Sequence, residues 1–131
     1  DEIEALLRTS IVGRIACCAH GAAGDDGRPF LVPLAYGYDG EAVYAHSGPG
    51  RKIQLMRAQP LVSFEVDSAE APDRWRSVIA EGTYEELTDS DARSRALAII
   101  YPPPAHIPAL GDDVIVYRIR LTAKSGRYEV P

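Results

Sequence analysis

Phe30-Leu-Val-Pro-Leu-Ala-Tyr-Gly-Tyr-Asp-Gly-Glu-Ala-Val-Tyr-Ala-His46 is the stretch from which the fold class follows. Phe30, Val32, Leu34, Tyr36 and Tyr38 alternate with Leu31, Pro33, Ala35 and Gly37, which gives a strand with one bulky face. Asp39-Gly40 is a strong hairpin signal, and Glu41 to His46 is the return strand. Pro33 has no N–H to give to a ladder, so the strand is an edge or its ladder is interrupted. Backbone left free in that way can also face a flat ligand, with Val32 and Leu34 beside it.

The return strand runs directly into His46-Ser-Gly-Pro-Gly-Arg-Lys52. A glycine-rich turn there puts two adjacent cations, Arg51 and Lys52, where a helix should begin. Small residues such as Gly50 let a ligand approach the backbone, helix-start N–H groups are unpaired, and Arg and Lys add charge. The residues alone leave two readings open, an anion site for a group such as phosphate, or exposed surface cations. Ser47 and the glycines favour the first. His46, at the strand end beside the turn, is either structural or a neighbour of that anion.

Outward from this core the pattern stays β-rich. Ile3, Leu6 and Leu7 have helical spacing, so Glu2 to Arg8 reads as an N-terminal helix. Ile11 to Ala19 reads as a strand and Gly21 to Gly27 as an interstrand loop. Arg51 to Ala58 reads as a helix with Ile53 and Met56 on one face, stopped by Pro60. Leu61 to Asp67 is a half-buried strand, Ser68 to Asp73 a polar loop, and Trp75 to Leu87 a long strand with a bulge or bend at Gly82. Thr88 is expected to cap a helix reaching about Tyr101, with Asp91 favouring its start. The prolines at 102–104 and 108 make Tyr101 to Asp113 a stiff loop. Val114 to Leu121 is a further strand, and Tyr128 to Val130 a short last one. Six or seven mostly antiparallel strands with two or three helices favour a small barrel over a doubly wound sheet.

The 131 residues suit one domain spanning 1–131. A net charge of −5 argues against nucleic acid as the main partner. No apolar run approaches the ~18–20 residues a membrane helix needs, and no signal peptide is visible. Cys17 and Cys18 are adjacent in a strand, so they point apart and form neither a mutual disulfide nor a chelating pair, which fits a reducing cytoplasm. The three histidines show no metal-ligand spacing. No GxGxxG or Walker sequence is present. No Ser/His/Asp or Cys/His set suggests nucleophilic catalysis, so no catalytic side chain is assigned, and any hard chemistry falls to a cofactor. Trp75, which opens the long strand with Arg76 and Ser77, serves as core or interface packing or as a pocket wall.

Taken in order, Val12-Gly-Arg-Ile-Ala16, Asp26-Gly-Arg-Pro29, Val32-Pro-Leu34, Tyr38-Asp-Gly40, His46-Ser47, Gly50-Arg-Lys52, Pro60-Leu-Val-Ser-Phe-Glu-Val-Asp67 and Trp75-Arg-Ser-Val78 to Gly82 resemble the FMN-binding split-barrel superfamily. This superfamily is related to pyridoxamine 5′-phosphate oxidase, and the likeness is nearest to its nitroimidazole-resistance-type branch. It covers Glu2 to about Leu121. The resemblance implies a mainly β protein, a six-stranded antiparallel Greek-key split barrel, and a homodimer with FMN at the subunit interface. It places Arg51 and Lys52 on the phosphate, with His46 and Ser47 beside it. Val32, Pro33 and Leu34 face the isoalloxazine ring. Ser77, and with it Trp75, is placed against the flavin from across the dimer.

The same resemblance implies a cytoplasmic oxidoreductase acting on a small molecule. The chain departs from the oxidases at its end, Ala123-Lys-Ser-Gly-Arg-Tyr-Glu-Val-Pro131, which lacks their Arg/His substrate motif. Val32-Pro-Leu-Ala35 also lacks their Arg and Lys. Both departures argue against vitamin B6 oxidation. The alternatives are an F420-dependent reductase on the same fold, or a non-catalytic flavin- or haem-binding dimer.

Overall fold

The computed structural model describes residues 1–19 and 27–131. His20, the Gly- and Asp-rich stretch from Gly21, and Asp26 of the quoted Asp26-Gly-Arg-Pro29 lie outside the described residues. Three helices, α1 (Glu2–Thr9), α2 (Arg51–Ala58) and α3 (Ser90–Ile100), accompany seven strands. These are β1 (Val12–Cys17), β2 (Phe30–Ala35), β3 (Gly37–Tyr38), β4 (Ala42–Ser47), β5 (Leu61–Ala71), β6 (Arg74–Glu86) and β7 (Ile115–Glu129).

All strand pairs are antiparallel, in the order β2-β1-β5-β6-β7-β4-β3. The first and last members of that order are consecutive in the chain, separated only by Tyr36. Residues 30–38 therefore form one bent strand that pairs with β1 through its first part and with β4 through its second. Counted that way the curled sheet has the six strands of a split barrel. Tyr36 is buried at the bend, where its N–H bonds Ile11 O at 3.1 Å and its hydroxyl donates to Leu7 O at 2.7 Å. Gly37 is needed just after it, since a Cβ there would overlap the backbone of Ile99 in α3. The Asp39-Gly40 turn forms as the sequence predicts, with Gly40 at φ +99 and Asp39 Oδ1 accepting from the N–H groups of Glu41 and Ala42 at 2.8 Å.

Inward-facing residues of the strands meet α1 and α2 in one core. Tyr117, Phe64, Leu7, Ile15, Ile53, Met56 and Ile119 are fully buried, and each aliphatic among them contributes about 1.5–3 kcal/mol. α1 starts at Asp1, whose carboxylate accepts from Glu4 N–H at 2.9 Å, and buries Leu6 and Leu7. Lys124 anchors the same helix to β7 and β3 through Glu4 (2.8 Å) and Tyr38 (2.6 Å). A smaller apolar cluster of Ala42, Tyr44, Ala96 and Val116 fixes α3 on the other side of β4.

Three boundaries differ from the sequence expectation. β5 continues through the expected loop to Ala71, so only Pro72 and Asp73 turn the chain. β7 is one strand of 15 residues rather than two pieces. In both places the strands run past the end of the core, where pairing is backbone-driven and no apolar alternation marks it. α3 is capped by Asp89, which accepts from Ala92 N–H at 3.0 Å, and not by Thr88. The irregularity expected at Gly82 is present as a register shift opposite Thr122 in β7.

Candidate functional site

β4 ends at Ser47, paired with Ile115, and the chain turns through Gly48, Pro49 and Gly50 into α2. α1 and α3 each begin with an aspartate cap and carry acidic residues in the first turn, but α2 has neither. Gly50 caps it with extended backbone (φ 172) and no side-chain hydrogen bond. The N–H groups of the first turn therefore lack intrahelical acceptors. Arg51 and Lys52 add positive charge to the positive end of the helix dipole, an arrangement costing about 0.3–1 kcal/mol each that a bound anion reverses. A Cβ on Gly48 or on Gly50 would meet nothing within 4 Å, and neither lies in the left-handed region of φ, so neither packing nor backbone conformation requires glycine at either position. Open space beside bare backbone is what a phosphate needs.

Lys52 is half-buried, and among the described residues no carboxylate lies within salt-bridge distance of it. Burial pulls its pKa down, partly opposed by the Cys17 thiol. Arg51 is exposed, with its guanidinium 5.8 Å from the centre of the Phe30 ring. His46 is half-buried, and burial followed by the Lys52 charge lowers its pKa. Its Nε2 lies 2.7 Å from the Tyr101 hydroxyl, with the two rings stacked at 5.9 Å. Ser47 Oγ donates to Gly48 O at 2.8 Å. Beneath this turn, burial raises the pKa of the Cys17 thiol, against the pull of Lys52 and Arg51. Tyr117, fully buried in the barrel interior, has a hydroxyl with no hydrogen-bond partner among the described residues.

His46, Ser47, Gly50, Arg51 and Lys52 thus share one cradle, with Phe30 at its edge. Val32 and Leu34 pack against the core while Pro33 points outward. β2 is the sheet edge, as Pro33 predicts. Because Tyr36 N–H bonds Ile11 O, the two-residue alternation of the ladder turns the backbone of Val32 and Leu34 toward β1. The backbone polar groups of Leu31 and Ala35, and the carbonyl of Pro33, face the open side.

Trp75 and Ser77 are not brought to this cradle within the chain. His46 pairs with Val116 at the start of β7, whereas Trp75 pairs with Glu129 at its end. Thirteen residues of strand at roughly 3.3 Å each separate the two positions along the curl. Trp75 and Ser77 instead share the outer sheet face with Pro33. A cross-strand row runs Pro33, Arg14, Glu65, Ile79, and Ser77 flanks it opposite Asp67. Large apolar side chains lie exposed around this row, with Leu31 66% and Ile79 47% accessible. A cavity of about 820 Å³ lies under α1 at this far end and is lined by Ile3, Leu6, Arg76, Trp75, Ser77 and Tyr128. Sequence reasoning missed Tyr101 and Phe30, since a contact 55 residues apart has no local signature.

A family model described as pyridoxamine 5′-phosphate oxidase matches residues 1–128. A solved structure of an FAD-binding protein from Mesorhizobium loti is 36% identical, with a TM-score of 0.75 over 97% of this chain and 92% of that one. A candidate 5-nitroimidazole antibiotic resistance protein from Bacteroides thetaiotaomicron superposes with a TM-score of 0.81 at 22% identity, over 95% of this chain and 81% of the other, a likeness of fold. An uncharacterized protein of Rhizobium meliloti is 33% identical over 87 residues, 66% of this chain, and the match spans 54% of that relative's length.

Proposed function

The chain belongs to the pyridoxamine 5′-phosphate oxidase family, and from that premise we propose that it binds FMN and works as a dimeric, cytoplasmic flavin-dependent oxidoreductase on a small molecule. The observation that carries this reading is the start of α2, which has no side-chain cap, with Arg51 and a half-buried Lys52 beside open glycine backbone. Such a donor set suits a phosphate monoester. Arg51, Lys52 and the first-turn N–H groups hold the phosphate, with Ser47 and His46 at its side. The open backbone edge of β2 around Pro33 faces the ring. The flavin supplies hydride or electron transfer, and the protein supplies binding, orientation and exclusion of water.

Trp75 and Ser77 act on the site of a second copy. Their distance from the cradle within one chain supports this, as does the outer face they share with Pro33 and the exposed apolar side chains. The Mesorhizobium loti structure is named for FAD, which contains the same riboflavin 5′-phosphate unit the cradle addresses.

A titration of the purified chain with FMN, FAD and F420, read by visible absorbance and fluorescence, tests the reading. Micromolar or tighter FMN binding by a dimer is expected. A chain that binds none of the three overturns it, and preference for F420 replaces the cofactor.

A further inference from the structure

Tyr101 stands where α3 ends, and among the described residues its hydroxyl makes a single hydrogen bond, to His46 Nε2 at 2.7 Å. The stacked rings, 29° from parallel, hold the imidazole in place. His46 closes the β4 side of the cradle. The groups packed around it are Lys52 from α2, Tyr101 from the end of α3 and, across the ladder on β7, apolar Val116. A neutral imidazole has one N–H and one lone pair, and whichever nitrogen meets Tyr101 decides what the other offers. A second cation beside the half-buried ammonium of Lys52 would be repelled by it, whereas a neutral donor would not.

We propose that Tyr101 is a positioning residue of the cradle: its hydroxyl donates to His46 Nε2, so that His46 keeps its proton on Nδ1 and presents that N–H, uncharged, to the ligand's phosphate. This rests on the flavin reading above. It makes the junction of α3 with the 101–114 loop part of the site, although that junction contributes no charge. It also explains why burial, which lowers the imidazole's pKa, is compatible with a role beside an anion: the group serves as a donor without being protonated twice.

The test uses the full chain in three forms, wild type, Tyr101→Phe and His46→Gln, together with the double variant. Nitrogen-15 NMR of the histidine rings identifies His46 as the signal lost in His46→Gln, and needs no flavin. The expected spectrum has the proton on Nδ1 in the wild type. FMN titration should show a three- to tenfold weakening, roughly one hydrogen bond's worth, in Tyr101→Phe, and no further loss when that change is added to His46→Gln. A proton on Nε2, wild-type affinity in Tyr101→Phe, or additive losses in the double variant each overturn the proposal. If Arg51→Ala with Lys52→Ala leaves FMN affinity unchanged, the flavin reading itself fails. If that pair abolishes binding while Tyr101→Phe does nothing, only the role of Tyr101 fails.

Discussion

Arg14 on β1 reaches across to Glu65 on β5, with Nη2 2.6 Å and Nε 2.8 Å from the same carboxylate oxygen, in the middle of the outer sheet face. Asp67 adds a second contact to Arg14 at 3.0 Å. Burial and then the neighbouring Asp67 hold the Glu65 carboxyl above its usual range despite the guanidinium. The cluster is flanked by exposed Val12, Leu31 and Ile79. An ion cluster ringed by apolar side chains suits a self-association face, because each group is already paired before a second copy covers it.

If that face joins two copies, Ile79→Lys should break the assembly without unfolding the chain. Ile79 is about half exposed in the single chain, so the change costs little there. Analytical ultracentrifugation should show the wild type as a dimer and the variant as a monomer. FMN binding should weaken in step, because Trp75 and Ser77 would no longer reach the other copy's site.

Removing the two cradle cations should move affinity and apo stability in opposite directions. Arg51→Ala with Lys52→Ala removes charged hydrogen bonds of roughly 1.5–3 kcal/mol each to the phosphate. It also relieves the conflict with the helix dipole by about 0.3–1 kcal/mol per charge. Calorimetry should show FMN affinity reduced by at least a hundredfold, and the melt of the flavin-free chain should hold or rise. A fall in both would mean the cations are structural.

Tyr117→Phe should be neutral or stabilising by up to about 1 kcal/mol. The hydroxyl is buried without a partner, so deleting it removes a desolvation cost and leaves the ring packing against Tyr84 at 5.3 Å. Urea midpoints of the two proteins decide the matter. Marked destabilisation would show that an internal water or ligand atom meets the phenol.

Glu4 should contribute to acid unfolding. Its hydrogen bond from Lys124 outweighs burial and lowers its pKa from the ordinary 4.5. A carboxylate with a lowered native pKa stabilises the fold fully above its unfolded value and loses that contribution as pH falls through the native one. Stability measured from pH 6 down to 3 should therefore fall less steeply in Glu4→Gln, which starts lower at pH 6. Parallel curves would mean that Lys124 leaves Glu4 energetically alone.

The two thiols should react unequally. Cys17 is 4% exposed and burial raises its pKa, whereas Cys18, just past the end of β1, is half-buried. A thiol reagent at pH 8 should label one cysteine in the native chain and two in urea.

Much of this was legible in the sequence because it rests on local rules. Alternation from Phe30 to Tyr38, the Asp39-Gly40 turn and the helix between Gly50 and Pro60 follow from side-chain period, turn chemistry and breakers. The cradle was legible for the same reason, since its parts are contiguous from His46 to Lys52. Tertiary relations were not. The lengths of β5 and β7 past the core depend on backbone pairing between distant segments, which small residues such as Ala123, Ser125 and Gly126 do not advertise. The capping role of Asp89 was hidden by Thr88, another capping residue type one position earlier, although aspartate is the stronger cap of the two. The wide separation of Trp75 from Arg51 emerges only when the register of β7 is known.

The bend at Tyr36 also fixes how many residues the segment can hold. Residues before it are in register with β1 and residues after it with β4, so the nine residues from 30 to 38 work as a clasp whose two halves share one thread. Adding or deleting a single residue there would turn one half inside out while the other kept its alternation, and either the pairing of β2 with β1 or the hairpin leading to α2 would be lost. A change of length within this clasp is therefore costlier than a change of side chain. Added length would leave the barrel fastened in the 101–114 loop, which joins α3 to β7 and belongs to no strand pair.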